Sequence, residues 1–269
     1  MAPDSLEREN QLPSWQLPHG VTRGEWDYFH SIPIASDYDD YFAHNRLFEF
    51  DAQILHDFLP APTKRSVVAD LGCGTGRALL PLVQRGFHGL AIDLSEHMLQ
   101  IVQEKARQEN LSLDCLRANL VELDAVRDNS IDHAISLFST LGMICGKRHR
   151  QRSLDHVRRI LKPGGTFIIH VHNLWFNLFD PGGPWWLLRN LIQSTFSRDI
   201  ERGDKSFSYR GIPQMFLHVF TQREIVAALR RAGLKPWRII PLDVRRFRRL
   251  KNPWLFGRFR ANGWIIVCH

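Results

Sequence analysis

The stretch VVADLGCGTGR, residues 67–77, decides the fold. Residues 67–69 predict a buried strand, and a helical pattern of apolar positions resumes over residues 77–84. The turn between them contains three glycines at alternate positions, Gly72, Gly74 and Gly76. Glycine tolerates strained main-chain angles and lets a ligand lie against bare backbone. The spacing differs from the Gly-x-Gly-x-x-Gly dinucleotide pattern, so the turn implies a nucleoside cofactor without implying a bound pyrophosphate.

Two carboxylates lie at the ends of predicted strands, one just before these glycines and one at the end of the next strand. Asp70 ends the first strand, and Asp93 ends a second strand over residues 89–93. An acid at the end of the second strand is placed to accept hydrogen bonds from two ribose hydroxyls. A tight turn without a ligand explains the glycines but not the second acid.

Asp70, the glycines and Asp93 together resemble the motifs of the class I S-adenosylmethionine-dependent methyltransferases, and the resemblance covers residues 67–269. It implies S-adenosylmethionine as the cofactor. In the family pattern Asp70 and the glycines hold the methionine part, Asp93 holds the ribose, and Asn119 with Leu120 contacts the adenine. Many members have Asp at the Asn119 position, but an amide oxygen also accepts from the adenine amino group. The full cofactor-binding set implied is Asp70, Gly72, Gly74, Gly76, Asp93, Leu94, Asn119, Leu120 and Ser136.

The order of elements predicts an α/β fold with a Rossmann-like, doubly wound, seven-stranded sheet. Further strands are expected over residues 113–117, 131–137, 166–171, 238–240 and 263–268. Thr221 and Glu224 form a capping box for a helix that ends at Gly233. The resemblance implies that the last strand runs antiparallel between the fifth and the sixth. We expect an N-terminal helical lid or extension over residues 1–60 and a methyltransferase domain over 61–269, with a substrate insertion at about 173–217.

Composition indicates one soluble enzyme domain. The 269 residues are 44% hydrophobic, which is enough to bury a large core. The polar start lacks an apolar signal region, so we expect a cytoplasmic protein. The longest uncharged run, residues 166–179, is too short to span a membrane. The four cysteines and thirteen histidines lack the spacing of a metal site, so no metal is expected.

Residues 26–46 are dense in tyrosines and acids. The resemblance suggests that this segment is a helical lid over the cofactor, with Tyr38 and Tyr41 as candidate substrate contacts. The alternative is an N-terminal helix packed on the sheet edge.

Methyl transfer from a sulfonium is an in-line displacement that depends on alignment and on exclusion of water, so a general base is optional. If a proton must leave the acceptor, His172 and His218 are the best-placed catalytic candidates, because the histidine pKa lies near neutrality. Each could instead be hydrogen-bonded within the loop framework. Asn173 and Trp175 are further substrate candidates. Phe138 is either a core aromatic or a residue that flanks the sulfonium.

The insertion carries a dense group of aromatic residues, which predicts a pocket wall or a satellite core. Its members are Trp175, Phe176, Phe179, Trp185 and Trp186. The chain has a net charge of +7, and its arginines cluster over residues 245–260. Such a cluster either contacts nucleic-acid phosphates or forms a solvated surface.

A second resemblance is to the tRNA wobble-uridine carboxymethyl methyltransferases. It rests on RHRQRSLDHVRRILKPGGTFII (148–169), LHVFTQREIVAAL (217–229) and NGWIIV (262–267). It makes Arg148 and Arg150 candidates for holding an anionic acceptor. The sequence departs from this pattern over residues 136–144. The predicted acceptor is therefore a small molecule, with tRNA as the alternative and a non-catalytic, cofactor-binding regulatory protein as a further one. The oligomeric state is left open.

Overall fold

A computed structural model describes residues 12–44, 46–63, 66–197 and 199–269. Its centre is a seven-stranded sheet with the order β3-β2-β1-β4-β5-β9-β8. The strands are β1 (Val67–Leu71), β2 (His88–Asp93), β3 (Leu113–Arg117), β4 (Ile131–Ser136), β5 (Leu161–His172), β8 (Pro236–Pro241) and β9 (Gly263–Cys268). Strands β1 to β5 pair in parallel, and β9 is antiparallel to both β5 and β8. The predicted doubly wound sheet and the position of its antiparallel strand are confirmed.

Helices precede and connect the strands of the sheet. They are α1 (Arg23–Phe29), α2 (Ile32–Ser36), α3 (Tyr38–Phe42), α4 (Leu47–Phe58), α5 (Leu79–Gln84), α6 (Glu96–Gln108), α7 (Lys147–Ile160), α8 (Gly183–Phe196), α9 (Gln222–Arg231) and α10 (Gly257–Arg260). The capping box of α9 forms as predicted, because the Thr221 hydroxyl accepts from the Glu224 backbone N–H and the Glu224 carboxylate accepts in return from that of Thr221.

The core lies in two apolar layers, one on each side of the sheet. All six residues of β9 are buried, as expected for a strand covered on both faces. The chain moves outward from β1 through β2 and β3 on one side, and from β4 to β5 on the other. A crevice therefore opens beyond the carboxyl ends of β1 and β4, where open α/β sheets bind ligands.

The predicted insertion contains a β-hairpin that the sequence analysis missed. Strands β6 (Asp204–Tyr209) and β7 (Ile212–His218) pair antiparallel in a sheet of their own. They are joined by Arg210 and Gly211, whose φ values are +49° and +83°. Two positive φ angles in a two-residue turn are the pattern that matches the twist of the flanking strands.

Two element boundaries also differ from the prediction. Strand β5 begins at Leu161 rather than at residue 166, so Pro163, Gly164 and Gly165 lie inside the strand, where the register with β4 shifts. Helix α5 begins at Leu79, two residues after the predicted start. Across the described ranges, no helix combines the length and apolarity that a membrane crossing requires.

Candidate active site

A cavity of about 440 Å³ lies at the carboxyl edge of the sheet. This volume is within the usual range for small-molecule sites. It is lined by the glycine turn, the ends of β2 and β3, the loop after β4, the end of β5, helices α1 and α3, and the β6–β7 hairpin.

The three glycines have positive φ values of +81°, +53° and +79°, but they serve different purposes. A Cβ on Gly72 would lie 2.4 Å from Thr140 Cγ2, so Gly72 lets the loop after β4 approach. A Cβ on Gly76 would press on Val102 at 3.1 Å, so Gly76 lets α6 pack. A Cβ on Gly74 would meet no atom within 4 Å. Gly74 lines the cavity, so it presents bare backbone to a ligand.

Asp93 is buried at the cavity wall and is oriented by two backbone amides. Its Oδ2 accepts from Gly74 N–H and its Oδ1 accepts from Ser95 N–H, both at 2.8 Å. Burial raises the pKa of Asp93, and the amides oppose that rise. Each carboxylate oxygen can accept more than one hydrogen bond, so the side chain can still accept from a ligand diol.

The other predicted adenine and ribose contacts lie along the same wall. Leu94, Asn119 and Leu120 line the cavity. The Asn119 side chain is already engaged, because its Nδ2 donates to His19 O at 2.9 Å and its Oδ1 accepts from Val121 N–H at 3.1 Å. One lone pair of its oxygen is left for a ligand amino group.

Three residues of the predicted cofactor set do not line the cavity. Asp70 and Ser136 are buried behind its wall, and Gly76 packs against α6 as described. Burial raises the pKa of Asp70 to about 7, with Arg77 opposing the rise and Asp93 adding to it. The predicted cofactor contacts of these three residues stay predictions, and in the structure these residues support the wall from behind.

The N-terminal helices form a wall of the cavity rather than packing only on the sheet edge. Tyr38 and Tyr41 both line it. Asp39 ties the helices to the glycine turn by accepting from Thr75 Oγ1 at 2.6 Å. The hydroxyl of Ser95, at the start of α6, donates to Phe29 O at 2.6 Å.

The β6–β7 hairpin meets these helices above the cavity. The Tyr209 ring lies 6.4 Å from that of Tyr41, and Arg210 lies over the Tyr41 ring at 4.5 Å while it pairs with Asp37. Gly24 of α1 packs so closely that a Cβ would lie 2.5 Å from Gln214 O. The insertion therefore reaches the cavity through the hairpin.

The aromatic group of the insertion does not form the predicted pocket wall, because none of its members lines the cavity. Phe179 and Trp185 are 60% and 72% exposed, so a satellite core is also wrong for these two. Trp175 lies 5.5 Å from the Phe259 ring, at α10.

The two catalytic candidates have different surroundings. His172 lines the cavity at the end of β5. Burial, with added repulsion from Arg246 and Lys205, lowers the pKa of His172 to about 3. His218 is buried between two carboxylates, with Nδ1 2.7 Å from Asp204 and Nε2 2.9 Å from Glu224. A ring held at both nitrogens cannot act as the base, so the His218 prediction is corrected to a structural role.

Four further predicted substrate residues lie away from the cavity. Arg148 is exposed on α7, and Arg150 is buried and pairs with Glu201 at 2.6 Å. Asn173 is buried, where its Nδ2 donates to Arg258 O and Ala261 O and its Oδ1 accepts from Trp175 N–H. None of these four side chains, Trp175 included, lines the cavity.

The loop after β4 is strained where it enters the cavity. Phe138 and Ser139 have φ values of +57° and +65°, a conformation that costs side-chain-bearing residues about 1–2 kcal/mol each. Such strain persists where the surroundings determine it, and it is concentrated at functional sites. Phe138 lines the cavity, so the strained backbone presents its ring to the ligand space.

Some lining residues were missed by the sequence analysis, notably Tyr28, Phe207, Met215 and Arg246. The alternation of apolar residues in β6 and β7 is a signal that could have located the hairpin residues. No feature of the sequence separates Arg246 from its exposed neighbours. Among the described residues, no group of three or more metal-ligating side chains comes together.

Comparison with known proteins agrees with this geometry. Residues 68–165 match a family described as a methyltransferase domain. A putative methyltransferase of Bacillus subtilis, YqeM, is 30% identical over 140 residues, which are 52% of this chain and 54% of that protein. The probable human tRNA methyltransferase 9B is 28% identical over 59% of this chain and 34% of its own length. The chain thus spans about half or less of the length of these relatives.

The fold has solved counterparts. The crystal structure of a SAM-dependent methyltransferase from Methanosarcina mazei superposes with a TM-score of 0.62 at 20% identity. The match covers 80% of this chain and 95% of that one. The similarity therefore extends well beyond the matched domain, to most of the described elements.

Proposed function

We propose that this chain, a class I S-adenosylmethionine-dependent methyltransferase by its domain and fold, binds S-adenosylmethionine along the β1–β3 edge and methylates a small molecule in the adjoining part of the cavity. The observation that carries the proposal is the pairing of Gly74 with Asp93: open space at a bare backbone, beside a buried carboxylate. S-adenosylmethionine supplies an activated methyl group on a sulfonium.

The residues present fit this cofactor. Asp93 has the lone pairs to accept from both ribose hydroxyls, and the backbone amides of Gly74 and Ser95 keep it in place. Asn119 and Leu120 offer a polar and an apolar contact to the adenine. Gly74 leaves room for the methionine part, because a Cβ there would meet no atom within 4 Å.

The chain's own contribution to the reaction is alignment and exclusion of water. Helices α1 and α3, within the proposed lid of residues 1–60, and the hairpin of the proposed substrate insertion line the cavity. Tyr38 stays neutral, because burial raises its pKa well above the usual value. Burial also keeps His172 neutral, because it lowers the pKa of this side chain to about 3. We therefore assign His172 a hydrogen-bonding role and propose an acceptor that needs no proton removed by this side chain.

A small acceptor is favoured by the walls of the cavity, which come mostly from apolar and aromatic side chains such as Phe138, Met143 and Phe207. The tRNA alternative has its own support in the similarity to tRNA methyltransferase 9B and in the exposed charges of Arg245, Arg249 and Arg258. A phosphate backbone would bind such charges without entering the cavity.

The test is titration calorimetry with S-adenosylmethionine, with NAD as the control ligand, followed by transfer of a radiolabelled methyl group. We expect S-adenosylmethionine to bind and NAD to fail. Label that enters bulk tRNA would establish tRNA as the acceptor. Label that enters a small-molecule extract would establish the proposed small-molecule acceptor. Binding without transfer to either would favour a regulatory protein, and absence of binding would refute the proposal.

A further inference from the structure

One arginine of the basic cluster differs from the others in its position. Arg245, Arg248 and Arg249 are exposed, whereas Arg246 is half-buried and lines the cavity. The residue therefore faces the ligand space, while its neighbours face solvent.

The loop around Arg246 is held in a defined conformation. Arg246 N–H donates to Asp243 O, and the buried Asp243 carboxylate accepts from Phe247 N–H and Arg248 Nε, each bond being 3.0 Å. Arg246 has a φ of +61°, which costs about 1–2 kcal/mol for a residue with a side chain. Asp243 thus stabilises a strained backbone that turns Arg246 inward.

Arg246 also lacks an acidic partner. Four other buried or half-buried arginines pair with carboxylates: Arg77 with Asp51, Arg150 with Glu201, Arg159 with Asp128 and Arg210 with Asp37. Among the described residues, half-buried Arg85, Arg158 and Arg260 have no ion pair either, but they contact a ring or backbone carbonyls and do not line the cavity. In the part of the chain that the structure describes, no carboxylate lies within ion-pairing distance of Arg246. Its guanidinium carbon lies 5.9 Å from the centre of the Phe138 ring, and its charge acts on His172. Burial lowers the pKa of Arg246, with Asp51 opposing the change.

Arg246 lies far from the proposed ribose site, so a group bound by Arg246 would be distant from the ribose. Asp93 ends β2 and His172 ends β5, with β1 and β4 between those strands. Three interstrand spacings make this separation about 14 Å. A guanidinium at the His172 end presents several N–H donors that match a carboxylate or a phosphate.

We infer that Arg246 binds a carboxylate or phosphate group of the methyl acceptor, so that the substrate is an anionic, largely apolar small molecule. The inference rests on the proposed function. The methionine carboxylate of the cofactor is a second source of the same chemistry, and the experiment separates the two.

The experiment compares four proteins: wild type, Arg246→Gln, Arg246→Lys and the exposed control Arg245→Gln. All three substitutions keep a Cβ, so Arg246→Gln and Arg246→Lys retain the φ strain of the native residue. Calorimetry first measures S-adenosylmethionine affinity. Each protein, saturated with S-adenosylhomocysteine, is then titrated with benzoate, phenylacetate, indole-3-acetate and phenyl phosphate, and with the neutral amide or alcohol of each.

We expect at least one acid to bind wild type about tenfold more tightly than its neutral partner. Arg246→Gln should reduce that preference to less than about twofold, Arg246→Lys should keep part of it, and Arg245→Gln should match wild type. S-adenosylmethionine affinity should be equal in all four proteins.

Three results would overturn the inference: no acid binds better than its neutral partner, Arg246→Gln keeps the preference, or Arg246→Gln weakens S-adenosylmethionine binding about tenfold. The last result would assign Arg246 to the cofactor carboxylate. If wild type fails to bind S-adenosylmethionine, the proposed function fails, and the acid titrations on the cofactor-free protein still test Arg246.

Discussion

Replacing Gly74 with alanine separates a cofactor site from a tight turn. Gly74 has a φ of +53°, and a Cβ there would meet no protein atom within 4 Å. The cost to the free energy of unfolding is therefore the left-handed backbone alone, about 1–2 kcal/mol. Gly164 in strand β5 has a φ of +79° and equally open surroundings, but it does not line the cavity. Gly164→Ala is thus a matched control for backbone strain.

We expect both variants to lose similar stability in urea unfolding. Only Gly74→Ala should lose affinity for S-adenosylmethionine in calorimetry, by at least about tenfold, or 1.4 kcal/mol. Gly72→Ala should lose more stability than either, because its Cβ would overlap Thr140 Cγ2 at 2.4 Å. Wild-type affinity in Gly74→Ala would refute the argument that this backbone contacts the cofactor.

Three further substitutions test other parts of the site. Asp93→Ala should weaken S-adenosylmethionine binding by about 1–3 kcal/mol in calorimetry, since the ribose hydroxyls lose their acceptor; unchanged affinity would contradict the ribose assignment. The pKa of buried Glu25 is raised from 4.5 to about 8, so the folded state binds the extra proton and stability should fall as pH rises from 4.5 to 8. In urea titrations at several pH values, the unfolding free energy of Glu25→Gln should fall by about 3 kcal/mol less than that of wild type between pH 4.5 and pH 7. Equal pH profiles of the two proteins would disprove the raised pKa of Glu25. His218→Gln should cost about 1–3 kcal/mol of stability, because Asp204 and Glu224 lose their shared partner, while S-adenosylmethionine affinity stays constant; full stability in this variant would return His218 to the catalytic candidates.

The sheet was predictable because its signals are local. Apolar runs bounded by Gly72 and Asp93 mark strands and their ends, and the capping box at Thr221 marks a helix start. The β6–β7 hairpin was missed because its turn is Arg210-Gly211 rather than the more familiar Asn-Gly or Asp-Gly.

Side-chain roles were predictable only where a motif fixes the backbone. Gly74 and Asp93 come together because two strand ends meet at one edge of a parallel sheet. One of the two partners of His218 is Asp204, which is brought beside it by pairing across a hairpin that the sequence did not reveal. Arg246 stands in a run of similar charges, and only the loop conformation set by Asp243 distinguishes it.

The domain that matches other proteins supplies only part of the cavity wall. Gly74, Asp93 and Asn119 lie within residues 68–165, the part that matches the methyltransferase domain. Tyr41, Arg246 and the β6–β7 hairpin lie outside it. The part proposed to bind the cofactor is thus built from the shared domain, whereas the part proposed to bind the acceptor combines Phe138 and Met143 of that domain with segments that lie before and after it. Relatives that match mainly through the shared domain need not carry those segments. Similarity to them therefore says more about the cofactor than about the acceptor. The identity of the acceptor therefore has to be determined from the walls contributed by this chain.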